Sequence, residues 1–187
     1  MSLRIVIADD EPLLRRDLKE VLEDLGYRVV GEARNGMEAL KLIQQKTPDV
    51  AILDIKMPEM DGIQVARKIS RQHPVVILTA FSERHLIEKA KDAGVMAYIT
   101  KPFRVGDVSS AVELAVSLFM EKSALTERVA TLKAQLETRK LVERAKGLMM
   151  ENEGLREPLA YRRLQEISMK KNKPIKEVAE AVIMMYG

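Results

Sequence analysis

The 187 residues include no cysteine and carry a formal net charge of +3, with 47% hydrophobic and 32% charged residues. This composition suits one ordinary globular domain with a small appendage, and it excludes disulfide frameworks and thiolate metal centres. The charge is too small to indicate a nucleic-acid partner by itself. The N-terminal MSLRIVIADD, whose short apolar run stops at two acids, is neither a secretion signal nor a membrane span, so a cytoplasmic protein without a membrane partner is expected.

In chain order, LRIVIA reads as a strand and EPLLRRDLKEVLEDLG as a helix, with Leu14, Leu18, Val21, Leu22 and Leu25 at helical spacing and Gly26 at its stop. The alternation continues. YRVVGEA precedes GMEALKLIQQK, DVAILDI precedes GIQVARKISRQ, and VVILTA precedes ERHLIEKAKDAG. Finally MAYIT precedes a helix from about Val105. Five strand–helix alternations predict an α/β fold, a doubly wound five-stranded parallel sheet with helices on both faces. Uninterrupted apolar strands such as VVIL fit strands covered on both sides. This domain is expected to span 1–120.

From Glu121 to about Met150 no turn signal breaks the helical pattern. Leu118, Leu125, Val129, Leu132 and Leu136 recur at intervals of seven, four, three and four. That is a heptad-like seam shorter than a self-sufficient coiled coil, and it fits either a linker helix packed on its own chain or a dimer seam over 121–138. Two helices follow. EPLAYRRLQEISMKKN opens with a proline in its first turn and carries Leu159, Leu164, Ile167 and Ser168 near one face. KPIKEVAEAVIMMYG carries Val178, Ala179, Val182, Ile183 and Met185 as a buried face. Residues 139–187 thus form a small three-helix all-α domain that needs the end of the linker helix to complete its core. Residues 1–120 hold 17 Lys and Arg against 18 Asp and Glu, whereas 137–187 hold 11 against 8, so the tail is the more basic part.

In an open parallel sheet, ligands bind at the carboxyl ends of the strands. Those ends carry Asp9 and Asp10 after the first strand, Asp54 after the third, Thr79 after the fourth and Lys101 after the fifth. Three carboxylates at one edge repel one another unless a cation intervenes. An all-oxygen donor set without His or Cys suits a hard ion, and Mg²⁺ is the natural candidate. Beside such an ion a carboxylate can attack phosphorus, with Lys101 and the Thr79 hydroxyl holding the oxygens of the transferring group.

IADDE, ILDIKMPEMDGI, ILTAF and AYITKPF resemble the signature segments of two-component response-regulator receiver domains over about 2–120, a flavodoxin-like fold. The resemblance implies Asp54 as phosphoacceptor, with Asp10 and Asp54 as direct Mg²⁺ ligands. It also implies that Asp9 acts through water and that the Lys56 carbonyl is a further ligand. Thr79 and Tyr98 become a switch pair, in which the hydroxyl moves toward the phosphoryl group and the ring follows inward. The Lys101–Pro102 bond is expected to be cis. The phosphodonor is then a sensor histidine kinase, and the protein is not an enzyme beyond chemistry on its own Asp54. His73 and His85 stand without partner ligands and are expected to be exposed, and Phe81 either tunes water access or packs.

Three outputs compete for the tail. A DNA-binding helix-turn-helix needs an exposed polar recognition helix, which the apolar last helix does not offer. A purely dimerising or protein-docking tail is compatible with the seam. Thirdly, RKLVERAKGLMMENEG and the progression through Tyr161, Leu164, Gln165, Ser168 and Met169 to the closing EVA resemble the ANTAR domain over about 137–185. That resemblance implies binding of structured RNA, paired stem-loops whose capture prevents transcription termination. Arg139, Lys140, Arg144, Lys146, Arg162, Arg163, Lys170 and Lys171 are the candidate contacts. Gly147, inside the first of these helices, is expected to let the following helices approach closely. Phosphorylation of Asp54 is expected to favour a homodimer that presents two such units to a two-hairpin RNA.

Overall fold

The computed structural model describes residues 2–80 and 86–187. Phe81 and His85 therefore lie outside the described residues. The chain falls into two compact units, Met1–Ser123 and Ala124–Gly187.

The first unit contains five parallel strands: β1 Arg4–Ala8, β2 Arg28–Ala33, β3 Val50–Asp54, β4 Val75–Ala80 and β5 Ala97–Lys101. Their spatial order is β2-β1-β3-β4-β5. Helices α1 Pro12–Asp24, α2 Gly36–Lys46, α3 Gly62–Ile69 and α4 Ile87–Asp92 alternate with them, and α5 Val105–Glu153 begins after β5. Because side chains alternate across a strand, Val6, Ala8, Ala51 and Leu53 join Ile43, Ala66 and Ala90 in one core. Ile5, Ile7, Val50 and Ile52 join Leu18, Leu22, Val108 and Val112 in a second core on the opposite face. Both faces are covered, and this is why the strands read as unbroken apolar runs.

The loop after β3 is fixed by local rules. Asp61 caps α3 by accepting from the Gln64 N–H at 2.7 Å, and Gln64 returns a bond to the Asp61 N–H. Asn35 caps α2 and donates from Nδ2 to Glu59 Oε1 at 3.2 Å, which ties this loop to the start of α2. Two glycines are needed for space. A Cβ at Gly36 would collide with the Met60 carbonyl oxygen, and one at Gly62 with that of Asp54.

Helix α5 runs without interruption through the region read as a linker. Leu125, Val129, Leu132 and Leu136 are all at least 50% exposed, so within the second unit the seam is left uncovered. The second unit completes a small bundle from the end of α5, α6 Glu157–Lys171 and α7 Ile175–Tyr186. Its core is Val142, Ala145, Met149, Ala160, Leu164, Val178, Ala179 and Val182. Three expectations need correction here. A Cβ at Gly147 would meet open space, so close approach is provided by the fully buried Ala145, Ala160 and Ala179 instead. Met185 is 74% exposed, because Tyr186 takes the inward place in the last turn. Leu159 is also exposed, since the buried stripe of α6 runs through Ala160 and Leu164. No helix among the described residues is long and apolar enough to cross a membrane.

Candidate functional site

The sheet order reverses at β1, which pairs β2 on one side and β3 on the other, and the carboxyl ends of these strands carry the acids. One carboxylate oxygen from each of Asp9, Asp10 and Asp54 lies within 4.8 Å of the others. Asp9 and Asp54 are buried, and Asp10 is exposed. Lys101, entering from the end of β5, places Nζ 2.6 Å from Asp54 Oδ1 and 2.8 Å from Asp9 Oδ2. The following peptide bond, Lys101–Pro102, is cis.

The electrostatics are unbalanced. Three carboxylates face one ammonium, with Glu11 a further 4.0 Å from it. Asp9 Oδ2 is buried, and among the described residues Lys101 alone meets its charge. Burial pushes the Asp54 carboxyl up to about 6. The Lys101 hydrogen bond and charge pull it the other way, the Asp9 charge adds to the rise, and the Lys56 backbone N–H opposes it. Burial works to lower the Lys101 ammonium, but its bonds to Asp54 and Asp9 outweigh that and hold it above its usual range. An acidic, all-oxygen pocket in which three carboxylates share one ammonium fits a hard divalent cation, and Asp9, Asp10 and Asp54 are the side chains that would hold it.

Thr79 is buried one position beyond Leu78, the β4 partner of Asp54, and its hydroxyl donates to the Ala80 carbonyl at 3.2 Å. Tyr98 sits opposite Ile77 on β5 and is 55% exposed, so its ring is outward. His73 is half-buried rather than exposed, with Nδ1 2.9 Å from the Pro48 carbonyl oxygen.

Sequence reasoning missed Arg15. Its Nη1 donates to the Asp9 carbonyl at 2.6 Å, and its Nε faces Glu32 at 3.9 Å, so a residue of α1 fixes the loop that carries two acids. No periodicity marks a side chain that reaches back to a carbonyl in this way.

In the second unit, seven of the eight basic candidates are exposed: Arg139, Lys140, Arg144, Arg162, Arg163, Lys170 and Lys171. Lys140 pairs with Glu137, and Arg163 stands 4.0 Å from Glu153. Lys146 departs from the expected surface position. It is 7% exposed and held between Glu143 and Glu157. The signal was present in the sequence, because Lys146 falls on the stripe Val142, Ala145, Met149 that faces the bundle core.

Comparison with known proteins gives the same division. A family model described as the response regulator receiver domain matches residues 5–113, and one described as the ANTAR domain matches residues 130–183. The transcriptional regulatory protein PdtaR of Mycobacterium tuberculosis is 50% identical over 186 residues, covering 98% of this chain and 91% of that protein. The chemotaxis protein CheY of Thermotoga maritima is 35% identical over 115 residues, covering 60% of this chain and 96% of its own. Among solved structures, the signal receiver domain of the response regulator NarL from Mycobacterium tuberculosis superposes with a TM-score of 0.59 at 34% identity. That match covers 62% of this chain and 97% of the other.

Proposed function

We propose, for a chain that belongs to the response-regulator family joining a receiver domain to an ANTAR domain, that phosphorylation of Asp54 controls stem-loop RNA binding and thereby prevents transcription termination. The observation that carries the receiver half is the placement of Lys101 Nζ within 2.8 Å of both Asp54 and Asp9, beside the exposed Asp10.

In the proposed reaction an Asp54 carboxylate oxygen attacks the phosphorus of a kinase phosphohistidine. The new O–P bond forms as the P–N bond breaks, and the imidazole leaves with the bonding pair and takes up a proton. Lys101 already lies 2.6 Å from Asp54 Oδ1, so it needs no large reorientation to meet the developing charge. A Mg²⁺ ion held by Asp9, Asp10, Asp54 and the Lys56 carbonyl would, when bound, offset the negative charge of the transferring group. Thr79 then exchanges its bond to Ala80 for one to the phosphoryl oxygen, and Tyr98 moves inward from its exposed position. The exposed seam from Leu125 to Leu136 supports a homodimer in that state, with two basic helical units offered to one RNA.

The direct test is a competition between a two-hairpin leader RNA and generic duplex DNA for the phosphorylated protein, paired with phosphate incorporation into wild type and Asp54→Asn. Labelling lost in Asp54→Asn and preference for RNA support the reading. Retained labelling removes Asp54 as acceptor, preference for DNA revives a DNA-binding output, and binding to neither favours a protein-docking tail. Sedimentation before and after phosphorylation checks the dimer, which is refuted by an unchanged monomer mass.

A further inference from the structure

Lys146 carries the opposite of what its sequence context advertises. It stands among Arg139, Lys140 and Arg144 on α5, yet its ammonium is withdrawn from the surface. Nζ lies 2.9 Å from Glu143 on the preceding turn, 2.8 Å from Glu157 in the first turn of α6, and 6.0 Å from the centroid of the Tyr161 ring. Two carboxylates answer one ammonium, so this spot has a local charge of the wrong sign for a phosphate. By contrast, among the described residues Arg139, Arg144, Arg162, Lys170 and Lys171 are exposed and form no ion pair.

The Lys146–Glu157 bond joins two helices connected only by Gly154–Leu155–Arg156. The N-cap position of α6, Arg156, makes no side-chain capping bond. Glu157 and Tyr161 are four residues apart and share one face of α6. Anchoring Glu157 on α5 while Tyr161 lies near the same ammonium therefore fixes the rotation of α6 about its axis. That rotation sets the direction in which the next residues, Arg162 and Arg163, project.

We infer that Lys146 is a positioning residue of the RNA-binding surface, clamping α6 through Glu157 and contacting no phosphate. This rests on the RNA-binding reading above. It also inverts the result expected from simple electrostatics, since removing the Glu157 charge takes a negative group away from a polyanion and yet weakens binding.

The test measures affinity of the full chain for a hairpin RNA across a salt series, for wild type, Lys146→Met, Glu157→Gln, their double variant and Arg162→Ala. Unfolding of the helical unit is followed in parallel. A lost phosphate contact flattens the slope of log K against log salt by about 0.7 to 0.9, and Arg162→Ala serves as that reference. The expected result is roughly three- to tenfold weaker binding in Lys146→Met and Glu157→Gln alike, with the wild-type slope kept and the double variant no worse than either single one. Glu157 is exposed, so its Gln variant reports even where Lys146→Met fails to fold. A flattened slope in Lys146→Met, or unchanged or tighter binding in Glu157→Gln, overturns the inference. If wild type binds no RNA, the RNA reading itself falls, and unfolding alone decides the clamp. Equal destabilisation by both single variants and their double supports it, and additive losses refute it.

Discussion

Gly62 packs its bare Cα against the carbonyl oxygen of Asp54, where a Cβ would collide with main chain. The first residue of α3 thus sets the peptide plane of the residue at the centre of the acidic pocket. Gly62→Ala is expected to destabilise the first unit by about 1–3 kcal/mol, the usual cost of overpacking. It is also expected to slow phosphate incorporation at Asp54 beyond what the lost folded fraction explains. Thermal unfolding and labelling at a temperature where the variant is fully folded separate the two effects.

Clustered carboxylates with a single ammonium are expected to make the folded receiver responsive to a divalent cation. Ligand bound only to the native state stabilises it by RT ln(1 + [L]/Kd), about 2.7 kcal/mol at a hundred times Kd. Added Mg²⁺ is expected to raise the unfolding temperature of the first unit in wild type. Asp10→Asn, which removes an exposed candidate ligand with little structural cost, is expected to lose most of that rise. No shift in wild type would count against the metal reading.

Gly147 faces open space inside α5, so its small size serves no contact among the described residues. Replacing it with Ala removes the helix penalty of glycine and is expected to stabilise the second unit by up to about 1 kcal/mol. Chemical denaturation measures this directly, and a destabilised Gly147→Ala would mean that the helix needs the bare position.

The clamp in the second unit has a pH signature. Glu157 is held below its usual range by the hydrogen bond and charge of Lys146, and Lys146 is held above its own by Glu143 and Glu157. A depressed carboxyl contributes stability above its unfolded value of 4.5, and this is lost as the pH falls through the folded value. A raised ammonium contributes below its unfolded value of 10.5, and that is lost as the pH rises through its folded value. Stability of the helical unit is therefore expected to decline on the acid side of pH 4.5. Glu157→Gln should lower the plateau and remove part of that acid-side slope, as unfolding measured from pH 3 to 7 will show.

Much of the architecture was legible because burial on both faces writes itself as apolar runs, and because strand ends are the only places where Asp9, Asp54, Thr79 and Lys101 fall together. The helical bundle was less legible. Lys146 was read by its neighbours in sequence, although its register with Val142 and Met149 already placed it toward the core. Gly147 was read by its rarity in helices, while the close helix contacts belong to Ala145, Ala160 and Ala179, which carry no such flag. The bond from Arg15 to the Asp9 carbonyl had no pattern at all, since it depends on where α1 lies over the end of β1.

The outward ring of Tyr98 has a practical consequence. The chain contains no tryptophan and four tyrosines, two of them, Tyr161 and Tyr186, in the helical unit. Within the receiver only Tyr27, packed against the sheet core, accompanies Tyr98. A change of tyrosine emission on Asp54 phosphorylation that is lost in Tyr98→Phe is therefore expected to report the proposed inward turn of that ring without any attached dye.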